Sequence, residues 1–335
     1  MATMGSYVSS DNEVVKVWEL QSEKLFRDAK LATFFDKFSS TDGKNIVKLL
    51  PRPKKGAGDT IRIGYTPDMT ETSGVAGDLT GHLDSLVSYT QDVILEKKRF
   101  GTKVESPDWQ ALLVQLDIPQ EQKLALTNLL SKFRDRAIFN ALYSPAPTKT
   151  YYGTAALTFT SSATEATAIA GATEALSPQL VAQAVLGAST GVGGTRPIIP
   201  PIYINGKPYY VMLVSSQAAN DLKNNATYNQ AYREIISGEN NPILTGNLGI
   251  YDGVIYHQHP WVPVTSGTLI SKNVLLGANA ISFAEGERTP IMVEEYKVKD
   301  YAAYIAEIVY SATKTKFNSL DWAVLGVYSK TSALA

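Results

Sequence analysis

The residues able to do chemistry are few, and their spacing limits what they could do. There are three histidines, His82, His257 and His259, and no cysteine in 335 residues. Disulfides and thiolate zinc sites are therefore impossible. His257-Gln258-His259 sets two imidazoles two residues apart, on one face of a strand, which could begin a metal site. No third ligand is suggested nearby and Pro260 ends the strand, so exposed strand-end histidines are the expectation. His82 has Asp78 and Asp84 for neighbours, but no nucleophile stands in a recognisable motif with it. The stretch Gly187 to Thr195 has the glycines of a phosphate loop. It lacks the Gly-Lys-Ser/Thr ending and an apolar strand leading into it, so it reads as a hinge. Neither a Gly-x-Ser-x-Gly elbow nor a His-Glu-x-x-His helix occurs. Catalytic residues, cofactors and metals are expected to be none.

Charge is the other chemical resource. The 31 basic residues nearly balance 32 acidic ones, and the net charge of -1 argues against a chain that grips nucleic acid over its whole surface. Arg52, Lys54 and Lys55 sit among prolines and glycine, where they could face DNA by charge alone. Lys97, Lys98, Arg99 and Lys103 form a second basic cluster, read either as a phosphate-contacting surface or as solvated decoration.

The elements that must carry these residues follow from periodicity. Val14, Val17, Trp18, Leu25, Phe34 and Phe38 recur at helical spacing within Asn12 to Phe38, with interleaved charges on the other face. Thr60 to Tyr65 alternates as a strand with two different faces, and Tyr89 to Phe100 is its expected partner. The long Gly- and Asp-rich connection between them reads as the tip of a projecting ribbon, since such loops are usually functional. Ser106-Pro107-Asp108 starts one helix. A second runs from about Gln120 to Tyr143 with Leu126, Leu129, Leu130, Phe133, Ala137, Ile138, Ala141 and Leu142 as its stripe and Arg134 to Arg136 on its rim. Ser144 to Ser177, rich in Thr, Ala and Ser, reads as a surface insertion with weak strands or partial mobility. Ser177-Pro178 caps a short helix. The remainder is α+β, with a buried strand at Tyr209 to Val214, helices near Gln217 to Lys223 and Thr227 to Ile236, and strands at Gly253 to His257 and Asn273 to Leu276. The N-terminus does not read as a signal peptide, and the longest apolar stretches are too short to span a bilayer.

Several stretches resemble a known family. They are Val17-Trp18-Glu19-Leu20, Gly58 to Ile61 leading into Gly74-Val75-Ala76-Gly77-Asp78, Asn241 to Val254, Leu275 to Ala280, and Phe317 to Trp322. Together they resemble the major capsid proteins of tailed bacteriophages with the Hong Kong 97-like fold, and among those the N4-like group. The resemblance implies an α+β fold with an N-arm at residues 1–58 and an extended loop at 59–105. A peripheral domain follows at 106–195, with a spine helix and an insertion at about 148–175. An axial domain at 196–284 and a return to the peripheral domain at 285–335 complete it. It implies a non-enzymatic virion protein, assembled in the host cytoplasm into hexamers and pentamers around double-stranded DNA, with no membrane role. A separate scaffolding protein, a portal and a decoration protein are the implied partners. Trp18, Phe34, Phe38, Gly74, Val75, Gly77, Asp78 and Leu79 become expected subunit contacts, and Arg52, Lys54 and Lys55 expected DNA-facing residues. Pro67 to Ser88 holds no lysine, so no lysine–asparagine cross-link is expected from the tip. Rival readings are an encapsulin-like shell protein and a surface-lattice β-protein.

Overall fold

A computed structural model describes residues 35, 38–51, 59–66, 88–107, 118–154, 158–191, 198–234, 248–286, 291–296 and 300–332. Two sheets and one long helix organise them.

The first sheet has six strands, centred on the longest, β16 (Tyr301–Lys314). On it pair β5 (Glu96–Glu105), β15 (Met292–Tyr296) and β14 (Ile281–Glu285), all antiparallel. β2 (Val47–Leu49) and β1 (Ser39–Ser40) add parallel strands beyond β14. Ser39–Ser40 and Val47–Leu49 are thus strands of this sheet although they fall inside the segment expected as an N-arm. β16 alternates strictly: Ala302, Tyr304, Ala306, Ile308 and Tyr310 are buried, and the residues between them are half-buried. That period of two is what a sheet with one covered face requires.

The cover is α1 (Ile118–Tyr143), whose first turn holds Pro119, a position where no backbone donor is lost. Its stripe behaves in two ways. Over the first half, Leu126, Leu130 and Phe133 face β5 and β16, with Phe133 against Phe100 and Tyr310. Over the second half Ala137, Ile138, Phe139, Ala141 and Leu142 are all buried, because the helix there passes into the main core. Two expectations need correction. Leu129 is 40 % exposed, and Asp135, expected on the rim, is buried.

The second sheet has nine strands and runs β10 (Ile250–Tyr251), β11 (Val254–Gln258), β9 (Lys207–Val214), β13 (Ile270–Leu276), β19 (Val324–Lys330), β6 (Thr150–Thr154), β7 (Thr158–Ser162). β8 (Ile202–Ile204) pairs with β9, and β12 (Val264–Thr265) with β13. The C-terminal segment therefore divides, β15 and β16 in one sheet and β19 in the middle of the other. The Thr/Ala-rich stretch expected as a surface insertion is instead integral: Thr150, Tyr151 and Tyr152 are buried where β6 pairs parallel with β19.

Helices α2 (Glu165–Gly171), α3 (Pro178–Thr190), α4 (Ser216–Asn224) and α5 (Ala226–Glu234) complete this part. Ser177 caps α3 by accepting the Leu180 N–H, and Ser215 caps α4 by accepting from Ala218. Two hairpin turns carry paired positive φ, Asn205-Gly206 and Asp252-Gly253, which those residue types tolerate. Between β9, β13 and β19 lies a buried polar seam. Ser271 Oγ is 2.7 Å from Ser215 Oγ and 2.8 Å from Asn273 Oδ1, and Asn273 Nδ2 donates to Ser329.

β17 (Lys316–Phe317) and β18 (Leu320–Asp321) form a small hairpin at the end of β16, and β3 (Thr60–Tyr65) pairs with β4 (Tyr89–Ile94) in a separate two-stranded ribbon. The expected strand Tyr89 to Phe100 is two strands. The chain leaves the ribbon and enters the first sheet across Leu95, whose N–H is bonded to the Asp59 carbonyl.

Candidate assembly surface

The β3–β4 ribbon has two unlike faces, as its alternation requires. Ile61, Ile63 and Val93 turn inward onto Leu50, Leu95 and Ala284. Tyr65 stacks on Trp322 at 6.5 Å, Tyr89 meets Phe317 at 4.7 Å, and Phe317 meets Trp322 at 5.4 Å. The described part of the ribbon is thus rooted on its own subunit by an aromatic clamp. Burial raises the pKa of the Tyr65 hydroxyl, the polar groups of Ser282, Thr315 and Asn279 opposing that rise. The outward face carries Thr60, Arg62, Thr90, Asp92 and Ile94, all exposed. Arg62 and Asp92 are cross-strand partners and bond bidentately, at 2.7 and 2.9 Å. That hydrogen bonding holds the Asp92 carboxyl below its ordinary range.

Beneath the clamp is a buried ion pair. Lys314 Nζ lies 2.6 Å from the Pro145 carbonyl and 3.2 Å from Asp321 Oδ2, and Asp321 also accepts the Thr148 N–H at 2.8 Å. Both charged side chains are 1 % exposed. Desolvation lowers the Lys314 pKa, with Asp321 working against it. This pair ties the small hairpin to the chain leaving α1.

The second basic cluster is largely satisfied within the subunit. Lys97 and Arg99 share Glu307, at 2.7 and 2.6 Å. Lys103 pairs with Glu105 and lies over Tyr301, while Lys98 lies over Phe133 and Tyr310. The bond from Lys97 chiefly holds Glu307 below its ordinary pKa. β5 pairs only with β16 among the described strands, so these cations also line a sheet edge, where charge discourages unwanted pairing.

The histidines are not an exposed pair. His259 is 1 % exposed, stacked on Phe139 at 4.5 Å, and its Nδ1 accepts the Trp261 N–H. His257 is half-buried, and desolvation lowers its pKa. Among the described residues no three His, Cys, Asp or Glu side chains group as metal ligands. The glycine-rich stretch Gly187 to Gly191 ends a helix, with Gly191 as a left-handed cap at φ 63°. A phosphate loop must begin one, where the free N–H groups are. No helix among the described residues is long and apolar enough to cross a membrane.

Of the residues expected at subunit contacts, Phe38 is half-buried against the main core, leaving only its remaining exposure for a neighbour. Trp18, Phe34, Gly74, Val75, Gly77, Asp78 and Leu79 lie outside the described residues, as do Arg52, Lys54, Lys55, His82, most of the segment expected as an N-terminal helix and residues 108–117. Sequence reasoning passed over Gln91, Lys314 and Asp321, whose partners are distant in the chain. It also passed over Tyr203, 68 % exposed on the β8–β9 hairpin, and Ile250, 52 % exposed on β10.

Two sheets, one long helix across them and a rooted ribbon make the architecture of the Hong Kong 97-like capsid fold, and solved structures bear this out. The chain is similar to the capsid of cyanophage Pam1, with a TM-score of 0.76 and 20 % identity over 99 % of both chains. It is similar to the capsid of Ralstonia phage GP4, with a TM-score of 0.69 and 17 % identity over 98 % of this chain and 99 % of that one. An encapsulin from Synechococcus elongatus is more distant, with a TM-score of 0.52 and 12 % identity over 92 % of this chain and 90 % of that one. Among curated proteins none matches the sequence. The phage capsid protein family model matches residues 9–329. The chain belongs to that family: it is a capsid protein, a structural component of the virion shell.

Proposed function

We propose that the chain is the subunit from which a tailed-phage head is built, associating into hexamers and pentamers that close into an icosahedral shell around double-stranded DNA. The observation that carries this reading is the ribbon. Its root is fastened to the subunit body, while residues 66–88 separate its two strands in the chain, a length that a compact domain does not need for a turn. Residues 59–105 act as the extended loop that overlaps a neighbour, and residues 1–58 as an N-arm whose strands at 39–49 rejoin the body. The segment 106–195 with α1 forms the peripheral part, 196–284 the axial part, and 285–335 returns across both sheets. The N4-like capsids are the group it resembles in its motifs.

Shell strength then comes from many modest interfaces acting together. Trp18, Phe34, Phe38, Gly74, Val75, Gly77, Asp78 and Leu79 contribute to those interfaces, and Arg52, Lys54 and Lys55 face the DNA without reading its sequence. Its role is assembly and not catalysis. A separate scaffolding protein, a portal and a decoration protein are its partners. Two measurements test this. Electron microscopy of the expressed chain, with and without scaffold, should show closed shells, capsomer rings or tubes. Deleting Thr70 to Ser85 should leave a folded subunit that builds no regular shell; normal particles from that deletion would refute the role given to the ribbon.

A further inference from the structure

We infer that Gln91 is the positioning residue that fixes the direction in which the ribbon leaves the subunit, by completing the open side of the strand at Thr315. In an extended chain, the N–H and C=O of one residue point to one side, and the C=O before it and N–H after it point to the other. Thr315 uses its own pair inward: its N–H donates to the Ala280 carbonyl and its carbonyl accepts the Trp322 N–H. The opposite pair, the Lys314 carbonyl and the Lys316 N–H, would be left without a backbone partner. Gln91 takes both. Its Nε2 donates to the Lys314 carbonyl at 2.7 Å and its Oε1 accepts the Lys316 N–H at 2.9 Å.

One primary amide thus replaces a missing strand. The two bonds also decide which end of the amide is nitrogen, since the flipped amide would set oxygen against carbonyl oxygen. The neighbours sharpen the argument. Gln91 stands opposite Ile63 on the inward face of the ribbon, next to the Tyr65–Tyr89 pair, whose partners Phe317 and Trp322 follow Lys316. Aromatic contacts hold the ribbon down but leave it free to pivot, whereas a two-point hydrogen bond sets an angle. Directly below, Lys314 anchors the same strand to the chain leaving α1. Ribbon direction is thereby referred to the helix, and across Leu95 to the sheet beneath it. Asn in place of Gln is one methylene short of reaching both groups. Ionised Glu still accepts from Lys316 but repels the Lys314 carbonyl. Protonated Glu, with one donor and one acceptor, reproduces the amide.

The consequence for shells rests on the capsid reading; the latch does not. The test compares full-length wild type, Gln91→Ala and Gln91→Glu by hydrogen exchange at residues 60–65 and 89–94 and by particle imaging, at pH about 7.5 and about 4.5. Loss of two neutral hydrogen bonds predicts exchange faster by about tenfold or more in both variants at the higher pH, with β13 and β19 unchanged. Their particles should be irregular. At the lower pH a carboxyl beside a carbonyl oxygen is protonated. There Gln91→Glu should regain wild-type protection and Gln91→Ala should not. Wild-type protection of the ribbon in Gln91→Ala, or no recovery of Gln91→Glu on acidification, overturns the assignment. Lost protection in the variants, together with a wild type that forms no particles with or without scaffold, would sink the shell reading and leave the Gln91 contact standing.

Discussion

Replacing Lys314 with methionine tests how the root of the ribbon is held. The substitution keeps the length and apolar stem of the side chain and removes one charge. It leaves the Pro145 carbonyl without its donor at 2.6 Å and the Asp321 carboxylate without its cation at 3.2 Å. Asp321 then keeps the Thr148 N–H, one bond for a carboxylate that is 1 % exposed. Breaking a buried pair from one side costs about 3–5 kcal/mol, most of it the uncompensated charge. With a urea dependence of about 3 kcal/mol per molar, the unfolding midpoint of the unassembled subunit should fall by roughly 1–1.7 M. Adding Asp321→Asn removes the stranded charge and keeps an acceptor for Thr148. The double variant should therefore recover about 2 kcal/mol relative to the sum of the two singles. A single-variant cost below about 1 kcal/mol, or strict additivity in the cycle, would show that water reaches the pair and that it is not the anchor described.

Three further outcomes are expected. A methyl group at Gly277 would lie 2.5 Å from the Pro200 carbonyl oxygen, a backbone atom that also accepts the Ala278 N–H, so Gly277→Ala should cost about 3 kcal/mol or more in urea unfolding. Asn273→Ala strips partners from the Ser215 N–H, Ser271 and Ser329 together and should cost about 2–4 kcal/mol by the same assay, far more than an exposed Asn→Ala exchange. Burial raises the pKa of Tyr65, Tyr143, Tyr256 and Tyr328, so the folded chain keeps protons that the unfolded chain releases. Their contribution is whole below the ordinary tyrosine value, about pH 10, and is lost as pH rises above it; Lys314, with its pKa lowered, acts in the opposite sense just below its own ordinary value. The Tyr256 hydroxyl has no hydrogen-bond partner among the described residues, so Tyr256→Phe should leave neutral stability within about 1 kcal/mol and move alkaline unfolding to higher pH.

Sequence alone determined what depends on neighbours in the chain. The 3.6-residue period placed the helix that runs to Tyr143, period-two alternation placed Thr60 to Tyr65, and the continuous apolar run at Tyr209 to Val214 marked a strand buried on both faces. Ser177-Pro178 announced a helix start, because a cap and a fixed φ act within one turn. The scarcity of histidine and the absence of cysteine bounded the chemistry before any fold was known. Tertiary structure decided the rest. Strand period says nothing of which strand lies alongside, so β5 on β16 and β6 on β19 could not be read from either segment alone. The Thr/Ala-rich stretch looked like surface because its residues are small and polar, yet Thr150 is buried where β6 meets β19. His259 has the residue type of a ligand, and only Phe139 and Trp261 packed around it make it a core residue. Gln91 was one polar residue among many on a strand. Its role exists only because folding brings it to an unpaired carbonyl and amide 223 and 225 residues away, a coincidence of position that no local pattern records.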